Sequence, residues 1–150
     1  MTDIFVSIAP YAGLFAVAFI AASLLPAQSE LAFAGMLVAG SYNPLLLLLS
    51  ATAGNTLGSL TNWLLGRFIE HFRHRRWFPF GAVAIERAER WYAKWGKWSL
   101  LLSWAPVVGD VLTLAAGIMR LRLPVFLCLV TLAKGGRYLA ILLGISLFNT

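Results

Sequence analysis

From Ile4 to Pro26, and again from Leu31 to Gly66, the chain carries no charged side chain. Tracts of that length exceed the roughly 18 apolar residues needed to cross a bilayer core about 30 Å thick. A soluble domain of 150 residues has no interior large enough for so much apolar surface, since 60% of the residues are hydrophobic and only 12% are charged. The sequence therefore predicts an all-α integral membrane protein, with residues 1–150 forming a single membrane domain. No basic n-region precedes the first tract, and Asp3 stands where Lys or Arg would be expected, so that tract reads as a retained segment.

The chain also writes one pattern twice. Adding 80 to Ser23, Pro26, Glu30 and Pro44 gives Ser103, Pro106, Asp110 and Pro124, so each copy reads Ser-x-x-Pro-x-x-x-acid, an apolar run, then a proline. Two inverted repeats are expected, each a re-entrant helical hairpin followed by a transmembrane helix. Repeat 1 covers about 4–66 and repeat 2 about 98–148, with helix breaks at Pro26 and Pro106. The run from Leu31 to Gly66 would be about 54 Å long as one helix, so it must break. Gly40-Ser41-Tyr42-Asn43-Pro44 is the place, leaving 44–66 as a span. Ile4 to Leu25 is long enough for a full span, but the repeat favours its later part as a hairpin arm.

Charge sets the orientation. Residues 67–97 hold eight basic and three acidic residues, a net +5 within the chain's +6. Between hydrophobic segments this points to the cytoplasmic face of the membrane and to anionic lipid, with no nucleic-acid partner. Ala82 to Trp98 reads as a basic amphipathic interfacial helix, its charges interleaved with Trp91, Trp95 and Trp98. His71 and His74 read as interface residues. The lone Cys128 reads as a small packing residue.

Glu30 and Asp110 are the only acids outside the N-terminus and the basic segment, and Lys134 and Arg137 lie near the middle of the last apolar run. Ionised groups at hydrocarbon depth cost a few kcal/mol or more, so they are paired, hydrated or neutralised. These four are the candidate proton and substrate site, and a purely structural set of ion pairs is the competing reading. Thr52, Asn55, Ser59, Asn62 and Gly66 form a polar stripe that either lines a path or packs helices, as does Gly54-x-x-x-Gly58. Gln28, Ser29 and Gly109, beside the breaks, are candidates for holding an anionic headgroup. No metal spacing, cofactor motif or catalytic triad is present in the sequence, so an enzyme is not expected.

The stretches Leu25-Pro26-Ala27-Gln28-Ser29-Glu30, Gly54-Asn55-Thr56-Leu57-Gly58-Ser59-x-x-Asn62-Trp63-x-x-Gly66-Arg67 and Leu102-Ser103-Trp104-Ala105-Pro106-Val107-Val108-Gly109-Asp110 resemble the DedA superfamily. These bacterial membrane proteins are also known as the SNARE-associated or VTT-domain family, and the likeness is greatest to the short YqaA-type branch. The resemblance implies two facing re-entrant hairpins and movement of lipids or lipid-linked carriers, such as undecaprenyl phosphate and phosphatidylethanolamine, between leaflets. It places the family's hairpin glutamate at Glu30. The arginines of the family motif Arg-Phe-x-Pro-x-x-Arg fall here on Ser103 and Gly109, and an acid of the first long span falls on Ser59. Asp110, Lys134 and Arg137 are left to take their place. The expected activity is proton-linked translocation of a phospholipid or polyprenyl-phosphate lipid. A homo-oligomer is compatible with the sequence, and the alternatives are a non-transporting membrane adaptor and a small-ion or drug antiporter.

Overall fold

A computed structural model describes residues 2–23, 28–68 and 81–148. Its elements are α1 (Thr2–Ser23), α2 (Gln28–Val38), α3 (Pro44–Arg67), α4 (Ala82–Trp95), a 3-10 helix (Gly96–Trp104), α5 (Val108–Ile118) and α6 (Leu123–Phe148), with no strand among the described residues. Pro26, His71, His74 and the basic residues between 69 and 80 lie outside the described residues.

The offset of 80 carries through to the element bounds. Moving α2 by 80 gives 108–118, the limits of α5, and moving α3 gives 124–147, one residue inside α6 at either end. Local signals set these starts. Asn43 caps α3 by accepting the N–H groups of Leu45 and Leu46, and Pro44 occupies the first helical position, where no N–H is needed. The Asn43 N–H in turn donates to Tyr11 Oη of α1 at 3.0 Å, which pins the head of α3 to the N-terminal helix.

Length separates the elements into two kinds. The 24 residues of α3 and 26 of α6 amount to about 36 and 39 Å, enough to cross a bilayer core. The 11 residues of α2 and of α5 amount to about 16 Å, and the nine-residue 3-10 helix to about 18 Å, roughly half a core. α1 does not follow the expected symmetry in length. It is continuous over 22 residues, about 33 Å, the length of a full crossing. The amphipathic helix also ends earlier than the sequence suggests, because Gly96 adopts φ +60° and the chain tightens into the 3-10 helix beyond it. Trp91, Trp95 and Trp98 are exposed around that junction, with Lys94 and Lys97 over the faces of Trp95 and Trp98.

α3 is the hub. Gly54 and Gly58 lie against the carbonyls of Phe15 and Phe19 in α1, and Gly66 against α5, whose Gly117 lies against Trp63. At each of these points a Cβ would meet another helix's backbone. The GxxxG pair is thus a packing device, the close approach that membrane helices use where no hydrophobic force separates protein from lipid. α3 and α6 run antiparallel and make two apolar clusters. Leu47 and Ala51 meet Tyr138 and Phe33 at one end, while Trp63 meets Phe126 and Val130 at the other. Outward, α3 presents Leu45, Leu49, Leu57 and Leu64, and α6 presents Leu132, Leu139, Leu143 and Leu147. Inward lie Asn55, Ser59, Asn62 and Lys134. Leucine outside and amide inside is the reverse of a soluble helix bundle. Cys128 is likewise exposed on α6, on the outer surface and not in the packed interior.

Gly58→Leu is expected to destabilise the protein by about 1–3 kcal/mol or more, because its Cβ would lie 2.6 Å from that of Ala22. Gly35→Leu, whose Cβ meets nothing within 4 Å, is the control. Thermal midpoints in detergent read the difference, and equal midpoints would mean that α1 does not pack on α3 in this way.

Candidate functional site

The second break in the chain is a tight turn. Between the 3-10 helix and α5, Val108 N–H donates to Pro106 O at 2.7 Å, with Val107 at φ 67°, ψ −57°. This is the strained form of γ-turn, and a β-branched residue at positive φ is held there only by its surroundings. Gly109 is part of the cause. It lies so close to the Ser103 backbone that a Cβ would overlap it. The turn places Asp110 in the first turn of α5, and Glu30 holds the matching position in α2, where helix N-termini favour carboxylates.

Both acids meet bases of α6. Lys134 Nζ is 3.5 Å from Asp110 Oδ1, and Arg137 Nη1 is 2.9 Å from Glu30 Oε1, an approach that makes an ion pair without an aligned hydrogen bond to that oxygen. The pairing, which the sequence leaves open, is thus one acid from each short helix on one long helix. The two pairs differ in access. Lys134 and Asp110 expose 4% and 18% of their side chains, Arg137 and Glu30 15% and 28%, so the first pair is closed and the second is not.

The closed pair belongs to a buried chain of hydrogen bonds. Lys134 Nζ also donates to Asn55 Oδ1; Asn55 Nδ2 donates to Tyr138 Oη at 2.9 Å, and Tyr138 donates to Ser29 Oγ at 2.9 Å. The sequence runs Asp110, Lys134, Asn55, Tyr138, Ser29 and joins α5, α6, α3 and α2. Arg137 Nη1 is anchored separately, donating to Trp104 O at 2.7 Å. Beside the closed pair lies a space of about 10 Å³, the size of one water, bordered by Ser29, Asn55, Ser103, Asp110, Lys134 and Arg137. Asn55 and Lys134 are each twelfth in their helices, so this polar layer sits halfway along both spans, between the two apolar clusters.

Of the candidates named from sequence, Glu30, Asp110, Lys134, Arg137, Ser29 and Asn55 come together, with Gly109 beneath the turn. Ser59 and Asn62 do not reach the site. Ser59 donates to Asn55 O within its own helix and Asn62 donates to Ala22 O, tying α3 to α1, so most of the stripe serves packing. Gln28 is exposed, outside the network. Tyr138 and the Trp104 carbonyl were not foreseen. Tyr138 lies four residues after Lys134 on the same helix face, the one signal that pointed to it.

A bundle with leucine outside, two span-length antiparallel helices and ion pairs at mid-height is a helical membrane protein. A family model described as "VTT domain" matches residues 25–147, and the chain belongs to that family, the DedA family. It is 44% identical over 128 residues to "Inner membrane protein YqaA" of Escherichia coli K12, covering 85% of each chain. It is 38% identical over 136 residues to an uncharacterized protein of Haemophilus influenzae, covering 86% of this chain and 83% of that one. Undecaprenyl phosphate transporter A of Staphylococcus aureus is 27% identical over 112 residues, 69% of this chain and 55% of the transporter. No solved structure matches. The chain is a bacterial inner-membrane protein.

Asn55→Leu removes one partner each from Lys134 and Tyr138, which keep Asp110 and Ser29. Losing two buried hydrogen bonds costs about 0.5–1.5 kcal/mol each, so a clear fall in thermal midpoint is expected. Ser59→Ala, which loses only a bond within its own helix, should cost far less. Similar losses for the two would mean that the Lys134–Asn55–Tyr138 chain does not hold the bundle together.

Proposed function

We propose that the protein carries a phosphate-bearing lipid, a phospholipid or a polyprenyl phosphate, between leaflets of the inner membrane with linked movement of protons. The observation that carries this reading is Arg137, held halfway along the spans, paired with Glu30 and reachable from the molecule's flank. An Arg fork suits phosphate better than a point charge does. The name of the Staphylococcus aureus relative points the same way.

In this reading the chain is built as two inverted repeats, about 4–66 and 98–148, with re-entrant hairpins turning at Pro26 and Pro106, the span-length α1 making the first hairpin's leading arm longer than its counterpart. The segment 67–97 lies at the cytoplasmic face. The half-core lengths of the 3-10 helix and α5, and the antiparallel course of α3 and α6, support it. The ionised site is net neutral, two acids against two bases. An incoming phosphate displaces Glu30 from Arg137 and would leave the site negative in a medium that stabilises net charge poorly. Protonation of Glu30 restores neutrality, and this is how proton movement is coupled to the lipid. Asp110 and Lys134, closed and bonded to Asn55, hold Arg137's surroundings in place.

The same pairing lends weight to a second reading, an adaptor whose four charges serve structure alone. Leaflet exchange of labelled undecaprenyl phosphate and phospholipids in proteoliposomes, with and without a pH gradient, separates the two. Glu30→Gln, which removes the proton carrier, Arg137→Gln, which removes at least about 1.4 kcal/mol of phosphate interaction, and their double variant are each expected to lose exchange by about tenfold or more. Folded double variant with wild-type exchange would refute the carrier mechanism, and no exchange by wild type would favour the adaptor.

A further inference from the structure

Ala133, Gly136, Ala140 and Gly144 follow one another at steps of three and four along α6, and Arg137 lies within the same face. The first three, with Trp104, line a groove of about 610 Å³ that Glu30 and Arg137 also border. From Ala133 to Ile141 it follows α6 for about 12 Å. The groove opens on the flank of the molecule, since Gly136, Ala140 and Trp104 are exposed.

Gly136 has no packing reason to be glycine. Gly54, Gly58, Gly66 and Gly117 each touch another helix's backbone, whereas a Cβ at Gly136 would meet nothing within 4 Å. Glycine in a helix interior costs about 1 kcal/mol relative to alanine, and here nothing within the chain offsets it. The missing side chain has one geometric effect, to keep the groove deep beside Arg137. Arg137 supplies the complementary charge, its Nε buried and lacking a hydrogen-bond partner. Apolar walls with a cation among them match an amphiphile with an anionic head.

We infer that this groove holds the first segment of the lipid's hydrocarbon chain while its phosphate engages Arg137, so that Ala133, Gly136 and Ala140 determine which lipids fit. The inference rests on the carrier reading and adds to it the path of the tail: the lipid enters sideways from the bilayer and slides along α6 without leaving the hydrocarbon. A helix from a second copy could pack on a small-residue stripe of this kind. It would, however, seal the Glu30–Arg137 mouth under apolar surface, and the charge there favours the lipid.

The test uses the full chain in nanodiscs with a polyprenyl phosphate bearing a diazirine near its head, photolysed and mapped by mass spectrometry. Adducts are expected to concentrate on residues 133–141 and Trp104. They should fall about tenfold with excess unlabelled polyprenyl phosphate, and also in Arg137→Gln. In proteoliposomes Gly136→Leu should raise the half-saturating lipid concentration several-fold, with Gly136→Ala in between, while Leu132→Phe on the outer face behaves as wild type. Adducts spread over the exposed leucines of α3 and α6 without competition would overturn the inference, leaving ordinary surrounding lipid. So would rapid disulfide linkage of two copies through Gly136→Cys, which marks a dimer seam. If wild type exchanges lipid and folded Gly136→Leu matches it, the groove fails alone; if wild type exchanges none, the carrier reading beneath it fails.

Discussion

Lys134 is the constraint on which the rest of the structure depends. An ammonium taken from water into a helix bundle costs several kcal/mol even after relaxation, and only close, multiple partners recover it. Its partners come from two other elements, Asp110 from the first turn of α5 and Asn55 from the middle of α3. Satisfying one side chain therefore fixes where three helices meet. Asn55 then has an amide hydrogen left over, Tyr138 takes it, and Tyr138's own proton goes to Ser29. Each bond leaves a group that the next must satisfy, because no bulk water reaches this depth.

Bringing those groups together requires backbones to approach more closely than ordinary side chains allow. Hydrophobic burial supplies little force inside a bilayer, where lipid is as apolar as leucine. Contact between helices comes instead from shape. Gly54 and Gly58 admit α1, and Gly66 with Gly117 admits α5, on two sides of the same helix. α3 is left free to carry amides on its inner face and leucines on its outer one.

Much of the fold was legible because its signals are local. Asn43-Pro44 is a local helix-start signal, and the repeat of Pro44 at Pro124 let both spans be placed within a residue or two. The membrane class, the break at Pro106 and the two bases on one helix face were legible for the same reason. The partner of each acid was not. Lys134 and Arg137, three residues apart, can each face either short helix, and the choice is made by the Trp104 carbonyl, which the turn at Pro106 exposes to Arg137. Tyr138 was hidden because a tyrosine in an apolar run reads as packing until a hydroxyl acceptor is known. Gly96 and the 3-10 helix after it were missed because glycine alone does not say which conformation follows it.

The departure from the family motif at Ser103 and Gly109 acquires a structural cause from this arrangement. An arginine at 109 cannot be built on this turn, since even a Cβ would overlap the Ser103 backbone. The cations of this site lie on α6, from which Arg137 reaches the carbonyl next to Ser103. Charge is therefore divided by element: both acids ride on the first turns of short helices, both bases on one span-length helix. In the proposed carrier, protonating Glu30 breaks its ion pair with α6, keeps the Tyr138–Ser29 bond between α2 and α6, and leaves the other pair closed. A site that had its arginines on the turn itself would keep acid and base on the same moving piece. Separating them gives each half an independent release, and the more open Glu30–Arg137 pair is the one that would let go first.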